Sequence, residues 1–286
     1  MTNLNLATKA ARTAIATLLA AASFSVMAGP IVTEWGYQID SGFTAFTPGS
    51  VTGSNINAVV NAPSQLNWGT DVGNGLSSLS VGAATNGNFS GTLNTNAGAV
   101  PTVQVIHDNN SIGLDGGVLS TATLFDVLRI NRNLPAPAGP DIVINLSFNI
   151  LFAETVNQPA CVIASSPTPC NDIFVIDVAG AGFNPANNTL NQPFVYDGNA
   201  YSASIAITGL GLLSDAACAA AGADVGCIGF TTIEDQANPF QVSLAINHTP
   251  PSDTPEPASL GLVGLAMLGL GLSRRRRTAD KPASHR

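Results

Sequence analysis

From Asp141 to Phe152 the chain alternates: Ile142, Ile144, Leu146, Phe148, Ile150 and Phe152 fall on one side, Asn145, Ser147 and Asn149 on the other. A repeat of two over this length places the apolar set on one face of a pleated strand. A helix, repeating every 3.6 residues, would scatter it. Phe240, Val242, Leu244 and Ile246 repeat the pattern opposite Gln241, Ser243 and Asn247. Tyr201, Ala203, Ile205 and Ile207 do so opposite Ser202, Ser204 and Thr208. Further short strands are predicted at 31–39, 77–82, 102–107, 122–130 and 172–178, punctuated by Gly, Asn and Pro. Between residues 29 and 253 only Ser214–Ala221 reads as a helix. Many short, half-buried strands predict an all-β domain, an antiparallel β-sandwich for which a jelly-roll-like arrangement is one option and the strand order stays open. Across 47–100 the Gly-, Asn- and Ser-rich composition leaves order and disorder both open.

The two ends obey different rules. Lys9 and Arg12 precede an apolar stretch, Thr13–Ala28, that closes on Val26-Met27-Ala28, with no acidic residue before Glu34. A basic start, a short apolar core and small residues at the exit predict a signal peptide over 1–28, cut by signal peptidase to leave Gly29 first. At the other end, residues 249–257 (TPPSDTPEP) form a Pro-rich linker that cannot be helical and stays extended. Ala258–Ser273 then runs without a charge, directly into Arg274, Arg275, Arg276 and Arg277. As a helix, 258–273 would span about 24 Å against a bilayer core of about 30 Å, and snorkelling arginines supply part of the difference. Each Arg at the membrane centre costs about 2.5–3.5 kcal/mol, so four in a row stop transfer. The expected topology is an exported domain over 29–248, a membrane helix over 258–273 and a basic cytoplasmic tail over 274–286.

Pro255-Glu256-Pro257, an apolar Gly/Leu-rich span and a terminal Arg cluster resemble the PEP-CTERM sorting signal of Gram-negative bacteria. The resemblance implies recognition by exosortase, transient residence in the inner membrane and release to the cell surface or medium. It also implies association with exopolysaccharide or biofilm matrix. Residues 278–286 extend past the arginines further than such tails usually do.

Between 29 and 253 the only basic side chains are Arg129 and Arg132, against sixteen carboxylates, a net charge of −14 where the whole chain carries −8. Such a surface repels phosphate backbones and excludes nucleic acid as a partner. Acidic density can also signal calcium, and Asp108–Asp115 opens like a calcium loop. Ile112 stands where a third oxygen is wanted and no Glu closes it, so a polar turn is expected there and no cofactor is assigned. Cys161–Cys170 and Cys218–Cys227 share one spacing and each pair lies between predicted strands. In an oxidising compartment they read as two local disulfides, and the repeated layout suggests a duplicated hairpin.

A second resemblance runs through the middle of the chain. Val32-Thr33-Glu34-Trp35-Gly36-Tyr37, Asn67-Trp68-Gly69-Thr70, Ile106-His107-Asp108-Asn109-Asn110, Phe152-Ala153-Glu154-Thr155 and Cys170-Asn171-Asp172-Ile173-Phe174 resemble the THxN group of PEP-CTERM proteins. Ile106 replaces the threonine of the name, while His107 and Asn109 remain. No activity accompanies that group, so the resemblance implies class and location only.

For chemistry the residues offer little. His248 is expected in the Pro-rich linker, solvent-exposed and inert. His107, beside Asp108, is either a base or ligand oriented by that carboxylate, or a polar tie between a turn and its surroundings. No nucleophile elbow, His-Glu-x-x-His or phosphate loop accompanies it, which favours the tie and a non-catalytic protein. Among the carboxylates, Glu154 and Asp172, flanking the first Cys pair, are the first to test for sugar hydrolysis. Trp35, Tyr37 and Trp68 would stack on sugars in a carbohydrate-binding or adhesive module if exposed, although core burial is their commoner fate.

Overall fold

The computed structural model describes residues 28–82, 85–177, 183–184 and 186–250. The signal peptide short of Ala28, the linker beyond Pro250, the apolar span 258–273 and Arg274–Arg277 lie outside the described residues. The first half carries β1 (Glu34–Thr47), β2 (Thr52–Asn57), β3 (Ala62–Trp68), β4 (Thr70–Asp71), β5 (Ser77–Val81), β6 (Asn88–Asn94), β7 (Val100–Asn109) and β8 (Ile112–Gly113). The second carries β9 (Thr121–Leu134), β10 (Ile142–Ala153), β11 (Asp172–Asp177), β12 (Phe183–Asn184), β13 (Thr189–Tyr196), β14 (Asn199–Ile207), β15 (Gly211–Leu212), β16 (Ile228–Thr232) and β17 (Gln236–Thr249). A short α-helix, α1 (Asp215–Ala220), is capped by Ser214, whose Oγ accepts from the Ala217 amide at 3.3 Å. Among the described residues no helix is long and apolar enough to cross a membrane.

The strands form a seven-stranded sheet, β15-β16-β11-β10-β9-β1-β6, and an eight-stranded sheet, β12-β13-β14-β17-β7-β5-β3-β2, with β4 and β8 pairing separately. Their pairings are antiparallel. The alternation in β10 is realised: Leu146, Phe148, Ile150 and Phe152 are buried, while Ser147 and Asn149 are exposed. These side chains share one apolar cluster with Leu66, Val105, Leu244 and Ile246 of the other sheet, so both sheets bury their inner faces in a common core. The all-β expectation holds. The jelly-roll-like order does not: β9, β10 and β11 are consecutive neighbours in one sheet, a meander rather than an alternation between sheets.

Residues 47–100, left open on composition, supply β2, β3, β5 and β6. His248 is not in the linker. It lies on β17 opposite Tyr201, with ring centroids 5.3 Å apart. Both disulfides form as the spacing predicts, with Cα–Cα distances of 5.3 Å for Cys161–Cys170 and 5.7 Å for Cys218–Cys227. Closing loops of this size stabilises by about 2.5–3 kcal/mol each in the chain-entropy picture. The strand, clasped loop, strand layout recurs, since each loop joins antiparallel neighbours, β10 to β11 and β15 to β16, but only the second is built around α1.

One inward position departs from the apolar rule. Asp126 on β9 follows Ala122 and Leu124 and precedes Leu128 and Ile130 on the core side, and it lines an interior cavity of about 60 Å³. Its Oδ1 has no hydrogen-bond partner, and burial pushes the carboxyl up to about 6 despite the neighbouring Ser41 hydroxyl.

Candidate functional site

The first disulfide loop leaves β10 at Ala153 and enters β11 at Asp172, and its mouth is sewn shut by Thr155. The Thr155 amide donates to Asp172 Oδ1 at 2.8 Å, and its hydroxyl reaches the carbonyls of Cys170 (3.1 Å) and Asn171 (3.0 Å). The Cys170 amide donates to Asn157 Oδ1 at 3.0 Å. These bonds hold Glu154 and Asp172 side by side. A third carboxylate arrives from the β16–β17 turn, where Asp235 takes the left-handed conformation (φ 58°). Asn238 fixes that turn, its Nδ2 donating to the carbonyls of Ile233 and Gln236 at 2.9 Å each and its Oδ1 accepting from the Ile233 amide at 2.9 Å. Glu234 is thereby turned inward, with an oxygen of each of Glu154, Asp172 and Glu234 lying within 4.8 Å of the others.

This cluster is buried. Asp172 is fully inaccessible, Glu234 is 6% exposed and Glu154 is half-buried. Burial first, then the charge of the neighbouring carboxylates, raises the pKa of both Glu154 and Asp172, and burial also raises that of Glu234.

His107 and Asn109 stand beside the cluster, both fully buried on the inward face of β7. His107 Nδ1 lies 2.9 Å from Thr232 Oγ1, and Asn109 Nδ2 donates to the Thr232 carbonyl at 3.3 Å. Thr232 is the residue paired with Asp172 across β16 and β11. The imidazole stacks on Trp68 (5.4 Å) and meets Phe152 (5.6 Å) and Phe174 (4.8 Å) edge-on. Burial lowers its pKa to about 3, so the ring is neutral at physiological pH. It supplies no positive charge to the carboxylates there. Asp108 does not orient it: the strand alternation turns that carboxylate away, where Oδ2 accepts from Ser78 Oγ at 3.2 Å. The polar-tie reading of His107 therefore fits, although it joins two sheets rather than a turn to its neighbours.

The structure brings Trp68, His107, Asn109, Phe152, Glu154, Asp172 and Phe174 into one place and leaves Trp35 out. Trp35 sits in a separate aromatic group with Phe194, Tyr196 and Tyr201. Trp35, Tyr37 and Trp68 are all buried, so none forms an exposed platform for a sugar ring. The 108–115 segment does not gather its carboxylates. Asp115 falls in a 3-10 turn, Leu114–Gly116, and the acidic side chains that converge are those described above. Sequence reasoning missed Glu234, Thr232 and Asn238. No local pattern marks them: the β11–β16 register sets Thr232 opposite Asp172, and the turn that follows, held by Asn238, brings in Glu234.

The functional element with a family signature is the C-terminal one, where Pro-Glu-Pro, an uncharged apolar run and four arginines follow in order. Residues 253–277 match the PEP-CTERM protein-sorting motif. The matched PEP-CTERM span covers Pro255, Glu256 and Pro257, the whole apolar run and Arg274–Arg277. A PEP-CTERM motif implies an exported, membrane-anchored precursor that exosortase processes and that is sorted to the cell surface. No curated protein matches the chain.

Proposed function

We propose that this chain is a non-catalytic surface protein of a Gram-negative cell, its β-sandwich working outside in contact with exopolysaccharide or biofilm matrix. The PEP-CTERM motif at 253–277 carries this reading. The domain preceding it, with no lysine, two disulfides and a net charge of −14 between residues 29 and 253, suits an oxidising exterior. The domain is of THxN type: four of its five matching stretches meet in the Trp68–His107–Phe152–Phe174 cluster, a reason for those short stretches to occur together.

Burial speaks against catalysis. The interior cavity and two surface clefts, one beside Gly222–Cys227 and one between Tyr37 and Arg129, are lined by none of the three clustered carboxylates. The test is localisation. Replacing Pro255, Glu256 and Pro257 together with alanine is expected to trap the protein in the inner membrane as a longer precursor, while the native sequence reaches the surface shortened. Equal surface levels at equal mass would refute the sorting role of the tripeptide.

A further inference from the structure

We propose that Glu154, Asp172 and Glu234 form a binding site for a hard divalent cation of the calcium class, clipping the first disulfide loop to the β16–β17 turn. Three carboxylates meet within 4.8 Å, and each keeps one oxygen without a donor: Glu154 Oε2, Asp172 Oδ2 and Glu234 Oε1. Glu154 faces Asp172 and the Trp68 indole N–H, and the Asn157 side chain and the Asp235 amide stand beside Glu234. Asp172 Oδ1 is held by the Thr155 amide and Glu234 Oε2 by Ser111 Oγ at 3.3 Å.

No protein cation neutralises them. The two arginines between residues 29 and 253 are committed elsewhere, Arg129 to Asp40 at 2.7 Å and Arg132 to Asp197 at 2.5 Å, and His107 is neutral. An uncompensated buried charge is costly, so the cluster must take up protons or a metal.

One further group, independent of the carboxylates, is also unsatisfied. Asn109 is 0% exposed, and its Oδ1 is unpartnered although its amide nitrogen is anchored on Thr232, next to Asp172. Buried polar groups left open in this number mark an absent partner. The donor set decides its class. Carboxylate and carboxamide oxygens with no thiolate suit calcium, which takes six to eight oxygens, and not zinc, which favours nitrogen and sulfur. Glu154, half-buried, is the member of the cluster nearest to solvent.

The experiment uses the full chain in mild detergent, stripped with chelator and titrated with calcium chloride by calorimetry and thermal melting. Magnesium chloride serves as comparator. One calcium per chain is expected. With a Kd of about 0.1–1 mM, as in extracellular modules, about 10 mM calcium should raise Tm by roughly 3–10 °C, with magnesium well below that. Asp172→Asn should abolish the shift while leaving the metal-free protein about as stable, since the neutral amide replaces a carboxyl that burial already holds protonated and can still accept from the Thr155 amide. Glu234→Gln, nearer the surface, provides the same test should Asp172→Asn fail to fold. Absence of any calcium response in the native chain, or a response that survives in a folded variant of either residue, would overturn the site and leave protons as the neutralising species. Neither result bears on where the protein is sorted.

Discussion

Replacing Trp35 with alanine is expected to cost the domain about 3–5 kcal/mol and to lower its melting temperature by roughly 10 °C. The indole is wholly buried, and three rings, Phe194, Tyr196 and Tyr201, meet it edge-on with centroids 5.0–5.6 Å away. Its N–H donates to Thr95 Oγ1 at 2.9 Å, and that hydroxyl donates to the Val32 carbonyl at 2.5 Å. The Val32 amide in turn donates to the Tyr201 hydroxyl at 2.9 Å. Truncation therefore opens a large void and breaks a relay that ties the start of the domain to β14. Trp35→Phe keeps an aromatic ring in the void and loses the N–H donor, so its cost should be smaller, about 1–2 kcal/mol. Denaturant unfolding of the three proteins measures both steps. A loss below about 1 kcal/mol for alanine would mean the ring is not packed as described.

Asp126→Asn is expected to act in the opposite direction, stabilising the domain at neutral pH by up to about 3 kcal/mol. Burial holds this carboxyl near 6 in the fold, against an ordinary value of 3.8. Below about pH 4 it is protonated in folded and unfolded chains alike and carries no penalty. Between about pH 4 and 6 the unfolded chain releases its proton while the folded one keeps it, so stability falls as pH rises. Above about pH 6 the folded carboxylate ionises too and the loss is complete. Glu154, Asp172 and Glu234, also raised by burial, add pH dependence of the same sign. The informative quantity is consequently the difference between native and Asp126→Asn unfolding free energies across pH 4–7. That difference should grow with pH and then level. A constant difference would mean that the surroundings of Asp126 do not raise its carboxyl.

Legibility from sequence followed exposure. β10, β14 and β17 announce themselves because one face is buried and the other wet, so composition alternates. β2 and β6 were missed because they are the outer strands of their sheets, with mostly polar side chains in TGSNIN and NFSGTLN. β1 outran its predicted end because Asp40-Ser41-Gly42 resembles a turn. Asp40 is instead satisfied within the sheet by Arg129 (2.7 Å), Asn88 (2.7 Å) and Gln38 (2.9 Å). Of the candidate site, Glu154 and Asp172 were readable as flanks of a loop that a disulfide closes. Glu234 was not, since it depends on sheet register across distant strands. The same holds for the His107–Thr232 contact. Asp126 breaks an inward run of Ala122, Leu124, Leu128 and Ile130, a signal that becomes informative once the inward face is known.

Whether the domain works outside the cell is decided most directly by mass spectrometry of the protein taken from its own organism. The expected species is found outside the cytoplasm, begins at Gly29, has lost the run of Arg274–Arg277, and carries Cys161–Cys170 and Cys218–Cys227 as its two disulfides. A cytosolic chain with both ends intact and four free thiols would contradict export and sorting together.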